Sequence, residues 1–119
     1  MKLGKVWGKT QPLIQTPLTE IHKISIFPNS KCSLHKHLQK HNWFYVISGI
    51  LYIEVHKNDY NLIDTTVLHA GECTTVPPNE LHRFYTLDEE VEALEGYYLS
   101  PLTPDDIIRN DVGSTNNKN

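Results

Sequence analysis

The chain has 119 residues, 39% of them hydrophobic and 21% charged, and a formal net charge of -3. That length suits one compact domain with a real core. The mild negative charge, with Lys and Arg scattered, argues against a nucleic-acid surface, and no apolar run approaches the roughly 18 to 20 residues of a membrane span.

Met1 to Gln11 lacks the apolar middle of a secretory signal. Two cysteines, Cys32 and Cys73, make no disulfide framework in a chain this long. A cytoplasmic protein with reduced thiols is the expectation.

In chain order, residues 1–19 carry prolines, glycines and little periodicity, and read as an N-terminal arm or short edge strand anchored by Trp7. The alternation His22, Ile24, Ile26 predicts a strand from Glu20 to Phe27, ended by the turn residues Pro28-Asn29-Ser30. Lys31 to Ser48 reads as two strand segments broken near Leu38 to Asn42. After Gly49, Ile50 to Val55 continues as a strand. Lys57 to Asn61 is a polar hairpin loop, and Leu62 to Leu68 returns from it. Short strands follow at Cys73 to Val76, Leu81 to Thr86 and Val91 to Leu99. Thr103-Pro104-Asp105-Asp106 reads as the cap of one short helical turn. The tail at 112–119 has almost no apolar content and is expected to be disordered. Roughly eight to ten short strands with almost no helix predict an all-β sandwich or barrel over residues 20–111.

Seven histidines are the compositional oddity. His35 and His37, at i and i+2, point the same way from an extended backbone, and His41 follows closely. Neutral imidazole is the commonest protein ligand for transition metals, so this is a candidate metal site. A further ligand from a distant strand is expected, and His82 is the best candidate. It follows Gly71, a short strand and the Pro77-Pro78-Asn79 turn, a hairpin that returns an imidazole to the core.

Together these stretches resemble the two motifs of the cupin superfamily. His35, His37 and Gly49 fall on the first motif. Gly71, Pro77 and His82 fall on the second, with Asn79 where glycine is usual; Asn tolerates the left-handed conformation almost as well. The resemblance implies a small single-domain antiparallel β-barrel of jelly-roll type with the metal inside. It extends from Trp7 to about Gly113 and is nearest to the isomerase domain of type II mannose-6-phosphate isomerases, usually fused to a GDP-mannose pyrophosphorylase. Val46-x-Ser48-Gly49, Val76-Pro77, His82-Arg83, Leu94-Glu95 and Asp105 to Arg109 carry that similarity. The chain departs from it at Leu38, Gln39 and Lys40, where the family has Arg, Ala and Glu, and Asn42 is inserted before Trp43. Either His41 or Asn42 takes the place of the usual glutamate ligand, and His41 is preferred.

The expected metal set is therefore His35, His37, His41 and His82, holding a divalent transition metal such as Zn, Mn, Fe or Ni. An aldose–ketose interconversion also needs a base, for which Glu95 is the candidate and Lys36 or Lys40 a weaker one. Tyr45, Phe84, Tyr97 and Tyr98 are candidates to line a pocket, with core packing the default for each. Arg83 should face away from the site in a salt bridge, and Cys73 should be a small buried hydrophobe. Three functions compete: a sugar or sugar-phosphate isomerase, a non-catalytic small-ligand-binding cupin, and a metal-dependent dioxygenase. The expected partners are a small-molecule substrate and a second copy of the chain in a homodimer.

Overall fold

A computed structural model of the chain describes residues 3–57 and 61–115. Among them nine strands form and no helix: β1 (Leu3–Lys5), β2 (Gly8–Gln15), β3 (Thr19–Ile26), β4 (His41–Ser48), β5 (Leu51–Lys57), β6 (Leu62–Leu68), β7 (Cys73–Val76), β8 (Leu81–Tyr85) and β9 (Val91–Tyr98). They make two antiparallel sheets, one in the order β1-β2-β3-β9-β4-β7 and the other β6-β5-β8. The all-β, jelly-roll-like architecture expected from the strand spacing is present.

Strand alternation decides which side chains meet between the sheets. Ile24 and Ile26 on β3, Phe44 and Val46 on β4, Leu51 and Ile53 on β5, Phe84 on β8 and Val91 and Ala93 on β9 form one buried apolar cluster. Phe44 and Phe84 meet edge to face at 6.0 Å between the two sheets. Trp7 packs on the same cluster, its ring 4.9 Å from Phe84. At the other end of the same strands the inward positions turn polar. β3 continues to His22, β4 to Asn42, β8 to His82 and β9 to Glu95, and Asn42, His82 and Glu95 are all buried. An apolar half and a polar half thus share one interior, and the polar half carries the candidate site residues.

Several expectations change. Much of the stretch read as an arm is sheet, since β2 pairs with β3 from Gly8↔Ile26 to Gln15↔Glu20. Ser33 to His37 joins no ladder; it touches β8 through an isolated bridge, His35↔His82. Thr103 to Asp106 forms a turn and no helix, the Asp106 amide reaching the Thr103 carbonyl at 3.4 Å. The centre of the hairpin loop, residues 58–60, and the tail beyond residue 115 lie outside the described residues. Both cysteines are free, and Cys32 is the buried one; Cys73 on β7 is exposed, because Thr74 and Val76 take the inward positions. Asn79 adopts a φ of 67°, the left-handed conformation foreseen for it.

Candidate metal centre

The two histidine stretches are held together by backbone. The His35 amide donates to the His82 carbonyl at 3.1 Å and the His82 amide to the His35 carbonyl at 2.8 Å. The Asn79 amide, at the left-handed turn, donates to the His37 carbonyl at 2.8 Å. The turn before β8 therefore fixes the otherwise irregular segment that carries His35 and His37.

As a result three imidazoles converge. Ring centroids are 5.0 Å apart for His35–His37, 4.8 Å for His35–His82 and 5.6 Å for His37–His82. One ligating atom from each lies within 4.8 Å of the other two, a group that could hold a metal ion. Two of the rings are oriented from behind. His35 Nδ1 lies 2.9 Å from the Ser33 carbonyl and His82 Nδ1 lies 2.8 Å from the Glu80 carbonyl. A carbonyl only accepts, so with the proton on Nδ1 each ring presents its Nε2 lone pair. His37 Nε2 is buried with no hydrogen-bond partner. An orphaned imidazole nitrogen is costly unless something coordinates it, and a divalent transition metal fits this donor set.

Burial and the neighbouring imidazoles favour the neutral form of His37 and His82, the form that binds metal. Desolvation, helped by His35, His82 and Lys40, lowers His37 to a pKa of about 4. His82 is lowered too, first by desolvation, against a raising contribution from the Glu80 carbonyl.

The fourth expected ligand is placed elsewhere. His41 opens β4 and stacks on Tyr98 at 4.7 Å, with the ring planes 3° apart. It is not in the group of three, and alternation is the reason. Asn42, Phe44 and Val46 point inward, so His41, Trp43 and Tyr45 point outward. Asn42 arrives instead, fully buried, its Oδ1 3.1 Å from His82 Nε2. The sequence carried a signal for this, because Phe44 and Val46 mark the inward parity of the strand.

Glu95 enters from β9, opposite His22 on β3 and Phe44 on β4. Its carboxylate accepts from Asn42 Nδ2 at 3.4 Å and from the Tyr97 hydroxyl. Desolvation raises its pKa, opposed by those two hydrogen bonds and by His22 and His35. Tyr97 is raised as well, by burial first and then by Glu95. Glu95, Tyr97, His35 and His22 share a cavity of about 640 Å³ that Trp7 and Phe84 also line. Lys40 lies over the Tyr97 ring at 4.8 Å. His22 was legible only as an inward strand position, by its alternation with Ile24. Tyr45 is exposed and Phe84 is core, so of the four aromatic candidates Tyr97 is the one beside the imidazoles, 5.2 Å from His37, and Tyr98 carries His41. Arg83 points outward, its Nε 3.9 Å from Glu54 Oε1.

Comparison with known proteins agrees with the fold. No curated protein sequence matches the chain. Among solved structures, KdgF from Halomonas sp. superposes with a TM-score of 0.71 at 13% identity, covering 85% of this chain and 89% of that one. CapF from Staphylococcus aureus, a capsular polysaccharide assembling protein, gives 0.74 at 17% identity over 89% of this chain and 30% of its own. Bacillus subtilis oxalate decarboxylase, described for its Mn(II) centres, gives 0.73 at 14% identity over 89% of this chain and 29% of that one. At these identities the likeness is one of fold. The Cupin domain family matches residues 23–96, well over half of the chain and all three converging histidines, and the chain belongs to that family.

Proposed function

We propose that this cupin binds a divalent transition metal through His35, His37 and His82 and isomerises a small sugar or sugar phosphate, with Glu95 as the base. The observation that carries this is a buried carboxylate in the same cavity as His35, with its pKa raised by desolvation. A carboxylate desolvated in this way is a stronger base than one in water. An open position on the bound ion would polarise a carbonyl or hydroxyl oxygen of the substrate. Glu95 then takes the proton from the carbon beside the carbonyl and returns it to the neighbouring carbon, while a hydroxyl proton passes from one oxygen to the other. Tyr97 and Asn42 hold the carboxylate in place through their hydrogen bonds to it. Trp7 and Phe84 give the cavity apolar lining. Lys5, on its wall, offers a cation to an anionic end of the substrate. The similarity to mannose-6-phosphate isomerase domains supports a phosphorylated sugar.

The test is proton exchange. Metal-loaded protein in D₂O, offered a panel of aldose and ketose phosphates, should place deuterium at the carbon next to the carbonyl. Glu95→Gln should lose this by about 100-fold or more while still binding metal. Full exchange by Glu95→Gln overturns the assignment of the base. A non-catalytic sugar-binding role is the second reading, favoured by Leu38, Gln39 and Lys40 standing where the isomerases have Arg, Ala and Glu. Tight sugar binding with no exchange for any member of the panel would select it. The proposal extends to a homodimer built on the N-terminal strands, since β1 is the sheet edge; a monomer by light scattering at micromolar concentration would remove it.

A further inference from the structure

We infer that Asn42, through its side-chain oxygen, is the fourth protein donor to the metal, so that the ion sits in an all-neutral set of three imidazoles and one amide. The inference rests on the metal reading above and deepens it.

The ground is a hydrogen-bond conflict. Asn42 Nδ2 donates to the Gly96 carbonyl at 3.1 Å and to Glu95 Oε2 at 3.4 Å. That fixes the amide's orientation, because the flipped form would set Oδ1 against the Gly96 carbonyl. Oδ1 therefore faces His82 Nε2 at 3.1 Å. On its other side the same ring meets the Glu80 carbonyl at 2.8 Å. His82 is thus clamped between two acceptors, and a neutral imidazole has one N–H to offer. Whichever tautomer it takes, one pair of lone pairs is left face to face in a buried site. A second proton would resolve the conflict, but the ring is 2% exposed and has two other imidazoles beside it. A cation between Nε2 and Oδ1 resolves it with Nδ1–H still on the Glu80 carbonyl. The spacing fits, since nitrogen and oxygen donors at right angles on one ion stand about 3 Å apart. His37, whose Nε2 is buried without a hydrogen-bond partner, belongs to the same group of three imidazoles.

Neutral donors leave the ion's positive charge uncompensated by its ligands. His41, stacked on Tyr98 outside the barrel interior, should contribute nothing.

The experiment uses the full chain stripped with chelator and titrated with Mn(II) and with Co(II), following free Mn(II) by electron paramagnetic resonance and bound Co(II) by its visible absorption. Asn42→Ala and Asn42→Leu, the second close in size but without a donor oxygen, should each weaken Mn(II) binding about tenfold. Asn42→Ala should also change the Co(II) band intensities, which report coordination number and which a merely structural loosening would leave alone. His41→Ala should match the unsubstituted chain in both measurements. Unchanged affinity and unchanged Co(II) bands in both Asn42 variants, with metal bound by the unsubstituted chain, overturn the role of Asn42 alone. No metal uptake by the unsubstituted chain overturns this inference and the metal reading together.

Discussion

Gly96→Ala tests how tightly the sheet is built around the site. Gly96 sits on β9 between Glu95 and Tyr97, opposite Trp43 on β4. Its φ is not positive, so the position demands space and no special backbone conformation. A Cβ built there falls inside the Trp43 indole, against Cε2, Cζ2 and Nε1. The ring is rigid, so it must swing away or the two strands must part. Overpacking of this kind costs about 1–3 kcal/mol. The stiffer unfolded chain of an alanine returns about 0.4–1 kcal/mol, leaving a net loss of about 1–2 kcal/mol. Urea unfolding of the metal-free protein measures it. In a Trp43→Leu background the same substitution should cost almost nothing, giving a coupling of about 1–2 kcal/mol between neighbouring positions. Equal cost in the two backgrounds, or a change within about 0.5 kcal/mol in the first, would refute the reasoning. Because the Gly96 carbonyl accepts from Asn42 Nδ2, the substitution should also weaken metal binding.

Three further outcomes are expected. The metal-stripped protein should lose stability in acid. His37 has a folded pKa of about 4 against an ordinary 6.5, so the unfolded chain binds more protons across that window and stability falls as pH falls through it. The full shift is worth about 2 kcal/mol between pH 7 and 5, cut to about 1 kcal/mol because the ring is partly exposed. His37→Gln should remove that increment, and equal acid losses in the two proteins would show that His37 does not titrate this way. Phe44→Ala, which empties the contact between the sheets, should cost about 3–5 kcal/mol; a loss below 1 kcal/mol in thermal or urea unfolding would contradict the packing. His82→Ala should abolish stoichiometric metal uptake by elemental analysis, and retained uptake would mean that the three imidazoles are not the site.

Much of this was legible because the signals are local. Turn residues and period-two alternation mark strands directly, which is why Ile24 and Ile26 read as one face. The residues at the two hairpin turns, Gly49 and Asn79, are read from chemistry, and both take positive φ. His35, His37 and His82 were recognisable by residue type and spacing to those turns. Cys73 was misread because a short apolar-looking strand does not say which of its faces is covered.

What only the tertiary structure decided is register. His41 and Asn42 are neighbours in sequence, and a one-residue change of strand parity exchanges interior for surface. Pairing of Asn42 with Tyr97 across β4 and β9 sends Asn42 to the imidazoles and His41 to Tyr98. The same pairing, with His22 opposite Glu95 on the other side of β9, brings the carboxylate to the cavity. Residue types and turns determined by themselves that this chain would carry a histidine site in an all-β fold. Which oxygen and which carboxylate lie beside those histidines depended on how distant strands align, and that alignment is set by packing of the whole core.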